Sequence, residues 1–168
     1  PSLSSRPADD RDLAFLSIPE LGALLRRGAV TSVGLTELFL ERLRTFDPIL
    51  QCVVTRMPER ALETARARDR ELAAGVDRGP LHGIPWGAKD LLAAKGAPTT
   101  WGAEPYRDQE IDEDAVVVQR LEAAGAVLVA KLTLGALAWG DVWFGGTTKN
   151  PWNPDQGSSG SSAGPGAA

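Results

Sequence analysis

Asp114-Ala115-Val116-Val117-Val118-Gln119-Arg120-Leu121-Glu122-Ala123-Ala124, then Gly125, then Ala126-Val127-Leu128-Val129-Ala130, is the stretch whose reading decides the fold. Val117, Leu121 and Ala124 recur at helical spacing, and Gly125 is well placed to end a helix. The five residues after it form an unbroken apolar run of strand length. A helix that feeds directly into a fully buried strand is the local pattern of an α/β fold.

Upstream, Gly79-Pro80-Leu81-His82-Gly83-Ile84-Pro85 is rich in turn formers and leads into Trp86 to Leu92, which reads as a second short buried strand. Before it the sequence is helical. Ser17-Ile18-Pro19-Glu20 has the form of a capping box, Leu21, Leu24 and Leu25 give one apolar face, and Gly28 is a natural stop. Leu35, Phe39, Leu43 and Phe46 continue the helical period after Thr31-Ser32, and Asp47-Pro48 is expected to break it. Glu59 to Ala74 is rich in Ala, Glu and Arg and ends at Gly75, with a face made mostly of alanine. Downstream, Leu134 to Trp139 suggests another short helix, and 145–168 has no hydrophobic period.

Composition narrows the function. The chain of 168 residues is long enough to bury a real core. A formal net charge of −4, with basic residues scattered among acids, argues against a nucleic-acid surface. A single cysteine, Cys52, and a single histidine, His82, give neither a disulfide framework nor a cluster of zinc ligands, so no metal cofactor is expected. No apolar run reaches membrane-span length, and Pro1 to Asp12 is too polar for a signal peptide. These features point to the cytoplasm, and leave open a transport signal upstream of Pro1.

Three stretches hold candidate chemistry. In Leu81-His82-Gly83-Ile84-Pro85-Trp86-Gly87-Ala88-Lys89-Asp90, a lysine stands among small and apolar residues. By itself it reads most simply as a structural lysine paired with Asp90 or another acid. The alternative is a base, because apolar surroundings disfavour charge on an amine, whereas a carboxylate alongside does the opposite. Gly145-Gly146-Thr147-Thr148-Lys149-Asn150-Pro151-Trp152-Asn153-Pro154 reads as a loop of successive turns. Gly157-Ser158-Ser159-Gly160-Ser161-Ser162-Ala163-Gly164-Pro165-Gly166-Ala167-Ala168 has the composition of a flexible linker. Trp86, Trp101, Trp139, Trp143 and Trp152 read as core.

Taken together, the three stretches resemble the amidase-signature family, with its Leu-His-Gly-Ile/Val-Pro-x-x-x-Lys-Asp box, its Asn-Pro-Trp box and its Gly/Ser-rich signature. Thr99-Thr100-Trp101-Gly102 and the Asp114 to Val127 segment resemble the connecting pieces. The resemblance implies an α/β fold, a mixed and largely parallel sheet covered by helices. The chain would be the N-terminal part of one domain, with 1–78 a helical lead-in and 79–168 the start of the signature core.

It also implies a Ser-Ser-Lys triad in which a neutral lysine draws a proton through a bridging serine in a cis conformation, so that a second serine attacks an amide carbonyl. The lysine falls on Lys89. Running without gaps from Asn150-Pro151, the bridging serine falls on Ser161, with Gly160 before it and Gly164 after it. Matching only Gly-Ser-Ser at Gly157 would choose Ser158 instead and put Ser161 at a glycine position. The usual Gly-Gly is here Ser159-Gly160. His82 is expected to hold a turn by hydrogen bonding, since no acid partner is fixed by spacing.

The implied activity is hydrolysis of a small-molecule carboxylic amide. The rival within the resemblance is a subunit of the tRNA-dependent glutaminyl amidotransferase, against which Leu132 to Gly140 lacks the Met-Asp-Glu-Phe type of sequence. A non-catalytic binding module on an amidase framework is a third reading, and it predicts a stable monomer. A cut enzyme would instead expose an apolar edge and self-associate as a homo-oligomer. The resemblance places the nucleophile and its oxyanion donors past Ala168. This chain alone is therefore expected to be inactive, and Lys89-dependent amide hydrolysis by it in a product assay would refute that expectation.

Overall fold

The computed structural model describes residue 7 and residues 9–168, and these form two compact units interleaved in sequence. The first comprises the described part of 1–41 with 58–86 and 120–129, and the second 42–57, 87–119 and 130–168.

In the first unit, α1 (Ile18–Arg26) starts where the capping box predicts. The Ser17 amide donates to the Glu20 carboxylate at 2.7 Å, satisfying a donor at the helix entry. Gly28 closes the helix at φ 67°, its amide donating to the Leu25 carbonyl while the Ala29 amide donates to that of Leu24. Leu21, Leu24 and Leu25 are buried with Leu13, Val30, Leu35 and Ile84 in one apolar cluster. Helix α2 (Ser32–Leu50) is capped from another element, the Asp69 carboxylate accepting from the amides of Ser32 (2.7 Å) and Val33 (3.0 Å). Helix α3 (Pro58–Ala73) carries Asp69 and buries Ala61 and Ala65 completely, in line with its alanine face.

Helix α2 corrects one expectation. Asp47-Pro48 does not break it, and the helix continues to Leu50. Pro48 removes the one ladder bond that its own nitrogen would donate, and only two helical residues follow it. The turn is completed by the Asp47 side chain, which accepts from the amides of Cys52 (2.8 Å) and Val53 (2.9 Å), and the chain leaves through Gln51 at φ 50°. Phe46, on the expected apolar face, is exposed.

That exit leads into β1 (Val53–Arg56), a strand the sequence reading did not separate from its surroundings. It pairs antiparallel with β3 (Val127–Leu132), and the three-stranded sheet has the order β1-β3-β2, where β2 is Pro85–Lys89. Between β2 and β3 the Val127 amide donates to the Ile84 carbonyl and, at the far end, the Asp90 amide donates to the Leu132 carbonyl, so the two strands run parallel. The sheet is mixed, and the α/β class stands.

Helix α4 (Val116–Ala123) precedes β3 as read, but its phase differs by one residue: Val118 is buried and Val117 exposed. Strand β2 stops at Lys89 and turns, leaving Leu91 exposed, instead of running to Leu92. Around Leu134 to Trp139 there is a single 3-10 turn at Ala136–Ala138, with Leu137 and Ala138 at positive φ, and no regular helix. The segment 145–168 is ordered by main-chain pairing, β4 (Val142–Trp143) with β5 (Gly146–Thr147) and β6 (Lys149–Asn150) with β7 (Asn153–Gly157), before α5 (Ala163–Ala167).

Cys52 is 1% exposed, and burial, reinforced by the Asp47 carboxylate, pushes its thiol up to about 12. The thiolate is the reactive species. We expect Cys52 in the native complete protein to resist iodoacetamide at pH 8 and to alkylate at once in denaturant, as read by mass spectrometry; rapid native labelling would show that the β1 entry opens.

Candidate active site

Lys89, Ser161 and Ser162 all belong to the second unit. Lys89 is the last residue of β2, half-buried, and its Nζ donates to Ser161 Oγ at 2.8 Å and to Ser162 Oγ at 3.0 Å. The structure thus brings together the two residues singled out from the sequence. The Gly160–Ser161 peptide bond is cis. Ser158, the competing choice, is turned elsewhere, its hydroxyl donating to the Ser159 carbonyl at 2.9 Å and its amide to the Thr148 carbonyl.

The Gly/Ser-rich segment is not a linker, because its glycines are seated against other backbone. A Cβ on Gly160 would overlap the Gly140 carbonyl, and one on Gly164 would run into the Thr133 amide and the Cys52 carbonyl. Gly164 takes its place through its amide, which donates to the Thr133 carbonyl at 3.0 Å, while the Thr133 amide donates to Cys52. Asp141 accepts from the Ser159 amide at 2.9 Å. The Thr148 hydroxyl donates to the Gln51 carbonyl at 2.9 Å and takes a 2.6 Å bond from that of Thr133, leaving no buried hydroxyl unmatched beneath the turn.

Asp90 does not pair with Lys89. Asp90 lies just past the end of β2, and its carboxylate meets Lys131 of β3, Nζ to Oδ1 2.6 Å, with neither side chain exposed. Burial pushes the Lys131 ammonium below the ordinary lysine value, and Asp90 works against that shift. Lys131 is what the sequence reading missed: a charged residue after the apolar run of Ala126 to Ala130 reads as the strand's end. Ser162, the second hydroxyl on Lys89, was also not singled out.

His82, in the first unit, is 2% exposed and has both ring nitrogens engaged. Nδ1 accepts from the Arg78 amide at 3.1 Å, which puts the proton on Nε2, donating to the Arg68 carbonyl at 2.9 Å. It holds the turn before β2. Gly125 allows this, since a Cβ there would press on the His82 backbone. Among the described residues there is no cluster of three or more His, Cys, Asp or Glu suited to a metal, and no helix is long and apolar enough to cross a membrane.

A half-buried lysine bonded to a serine hydroxyl, on an α/β framework, is the pairing that a serine hydrolase without a catalytic histidine uses to move protons. The amidase family profile matches residues 34–168, and the chain belongs to the amidase family. It is 40% identical over 161 residues to the Mycobacterium tuberculosis protein that carries the name amidase AmiD, covering 95% of this chain and 34% of that one. It is 41% identical over 155 residues to a glutamyl-tRNA(Gln) amidotransferase subunit of Methylococcus capsulatus, covering 90% and 32%. Among solved structures it superposes on the native peptide amidase of Stenotrophomonas maltophilia with a TM-score of 0.82 at 36% identity, over 90% of this chain and 33% of that one. The chain thus spans about a third of the length of the relatives it matches.

Gly164→Ala should destabilise the complete protein by about 1–3 kcal/mol through overpacking. Gly166→Ala, where a Cβ meets nothing within 4 Å, should change it by no more than about 1 kcal/mol. Urea midpoints of the two variants check the seating of the turn, and equal midpoints would contradict it.

Proposed function

We propose that the protein hydrolyses a carboxylic amide through a serine acyl-enzyme, with Lys89 as base and Ser161 as proton relay. The observation that carries this reading is the 2.8 Å contact of Lys89 Nζ with Ser161 Oγ. In this reading a second serine attacks the amide carbonyl. With the Lys89 amine neutral, the contact reverses: the Ser161 hydroxyl donates to Nζ and its oxygen accepts from the attacking serine. As the new C–O bond forms, the attacking serine's proton passes to Ser161 and that of Ser161 to Lys89. Collapse breaks the C–N bond, and the proton returns by the same route to the departing amine. Water then repeats the sequence on the ester, so amide and water give acid and amine. The balance closes without a cofactor.

The 41% identity to an amidotransferase subunit supports a second reading, release of ammonia from glutamine in complex with a partner protein. The Leu132 to Gly140 sequence favours the stand-alone amidase. A stable partner complex with glutamine-dependent transamidation would reverse that order.

The test is reaction of the complete protein with a fluorophosphonate, read by mass spectrometry. One serine should be labelled, and Lys89→Ala and Ser161→Ala should each lower labelling and amide turnover by about 100-fold or more. A folded complete protein in which no serine labels would contradict the amidase reading and favour a non-catalytic module.

A further inference from the structure

Asp90 follows Lys89 directly and is held through its amide, its carbonyl and its carboxylate. Its amide donates to the Leu132 carbonyl at 2.8 Å, and its own carbonyl accepts from the Trp101 amide at 3.3 Å. Its Oδ2 accepts from the Thr100 amide at 2.9 Å and from the Thr100 hydroxyl, and its Oδ1 meets Lys131. Lys131 in turn donates to the Pro98 carbonyl and to Thr99 Oγ1, both at 3.1 Å, and meets Asp90 Oδ1 as an ion pair outside hydrogen-bond geometry. Two residues further along, the Thr133 carbonyl accepts from the amide of Gly164, three residues beyond Ser161, and the Thr133 amide donates to the Cys52 carbonyl.

We propose that Asp90 and Lys131 are positioning residues for Lys89, a buried clamp that fixes the end of β2 against the end of β3 and so sets the Lys89 to Ser161 contact. The clamp rests on the amidase reading above. Its physical case is that exchanging a buried ion pair for well-packed apolar substitutes would cost the protein little. A pair tied by hydrogen bonds to the Leu132 carbonyl and to the 98–101 segment does what apolar packing cannot: it fixes the direction in which the neighbouring side chain leaves the strand.

The experiment uses the complete protein and separates stability from turnover. Lys131→Met leaves Asp90 buried and unpaired and should lower both. Asp90→Asn combined with Lys131→Met removes the stranded charge and keeps an acceptor for Thr100. It should recover most of the thermal stability while kcat, per folded molecule and well below Tm, stays down by about 100-fold with KM within about twofold, the scale expected for a misplacement of about 1 Å. Thr99→Val, which removes one acceptor of Lys131 at constant shape, should shift kcat in the same direction by a smaller factor, and serves if the double variant does not fold. Wild-type kcat in a folded double variant, or in Thr99→Val when that is the variant available, would overturn the clamp. Loss of the amidase reading is distinguished by the parent enzyme, since unimpaired turnover in Lys89→Ala would remove that reading whatever the clamp variants do.

Discussion

A lysine and an aspartate with no exposed side-chain surface lie at the meeting point of two strands, and the surrounding structure is arranged to keep them satisfied. Either charge left alone in that position would cost several kcal/mol, so the partners are not independent choices. Lys131 requires Asp90, Pro98 and Thr99 within reach, and Asp90 requires Thr100. The segment 98–101, which has no regular secondary structure, is thereby drawn against the sheet. Apolar burial accounts for the residues of β3 other than Lys131, but burial alone does not tell one register from another as sharply as a matched ion pair does.

The Gly/Ser-rich segment is ordered by a different means. It has almost no apolar side chains to bury, so its position is fixed by main-chain hydrogen bonds and by close backbone approach, which glycine permits. Gly160 lies against the Gly140 carbonyl and Gly164 against Thr133 and Cys52. The result places two hydroxyls, Ser161 and Ser162, on one amine. Specificity of position, rather than hydrophobic area, is what such a turn contributes to a site.

Much of this was legible in the sequence where the signal is local. The capping box at Ser17 and the stops at Gly28, Gly75 and Gly125 depend on neighbours within a few residues and fall where the sequence puts them, and the apolar run places β3 although the strand extends past it to Leu132. What was not legible depends on partners far along the chain. Pro48 looked like a break because its tolerance rests on the last-turn position and on Asp47 bonding forward to Cys52 and Val53. Val117 and Val118 are equally apolar, so periodicity did not separate the buried one from its neighbour. Lys131 looked like a strand terminus because its counter-ion, Asp90, lies 41 positions away in the chain, and Asp90 looked like a partner for Lys89 because adjacency in sequence hides the turn that begins at the end of β2. Motif order and spacing brought Lys89 and Ser161 forward as a pair, a relation that composition would have assigned to a linker.

The most direct measurement is a high-resolution crystal structure of the complete protein, read at the Lys89 amine. The account predicts Nζ within hydrogen-bond distance of Ser161 Oγ, as in the 2.8 Å contact here, with the Asp90 carboxylate on Lys131. A structure in which Lys89 pairs with Asp90, or reaches Ser158 in place of Ser161, would contradict it.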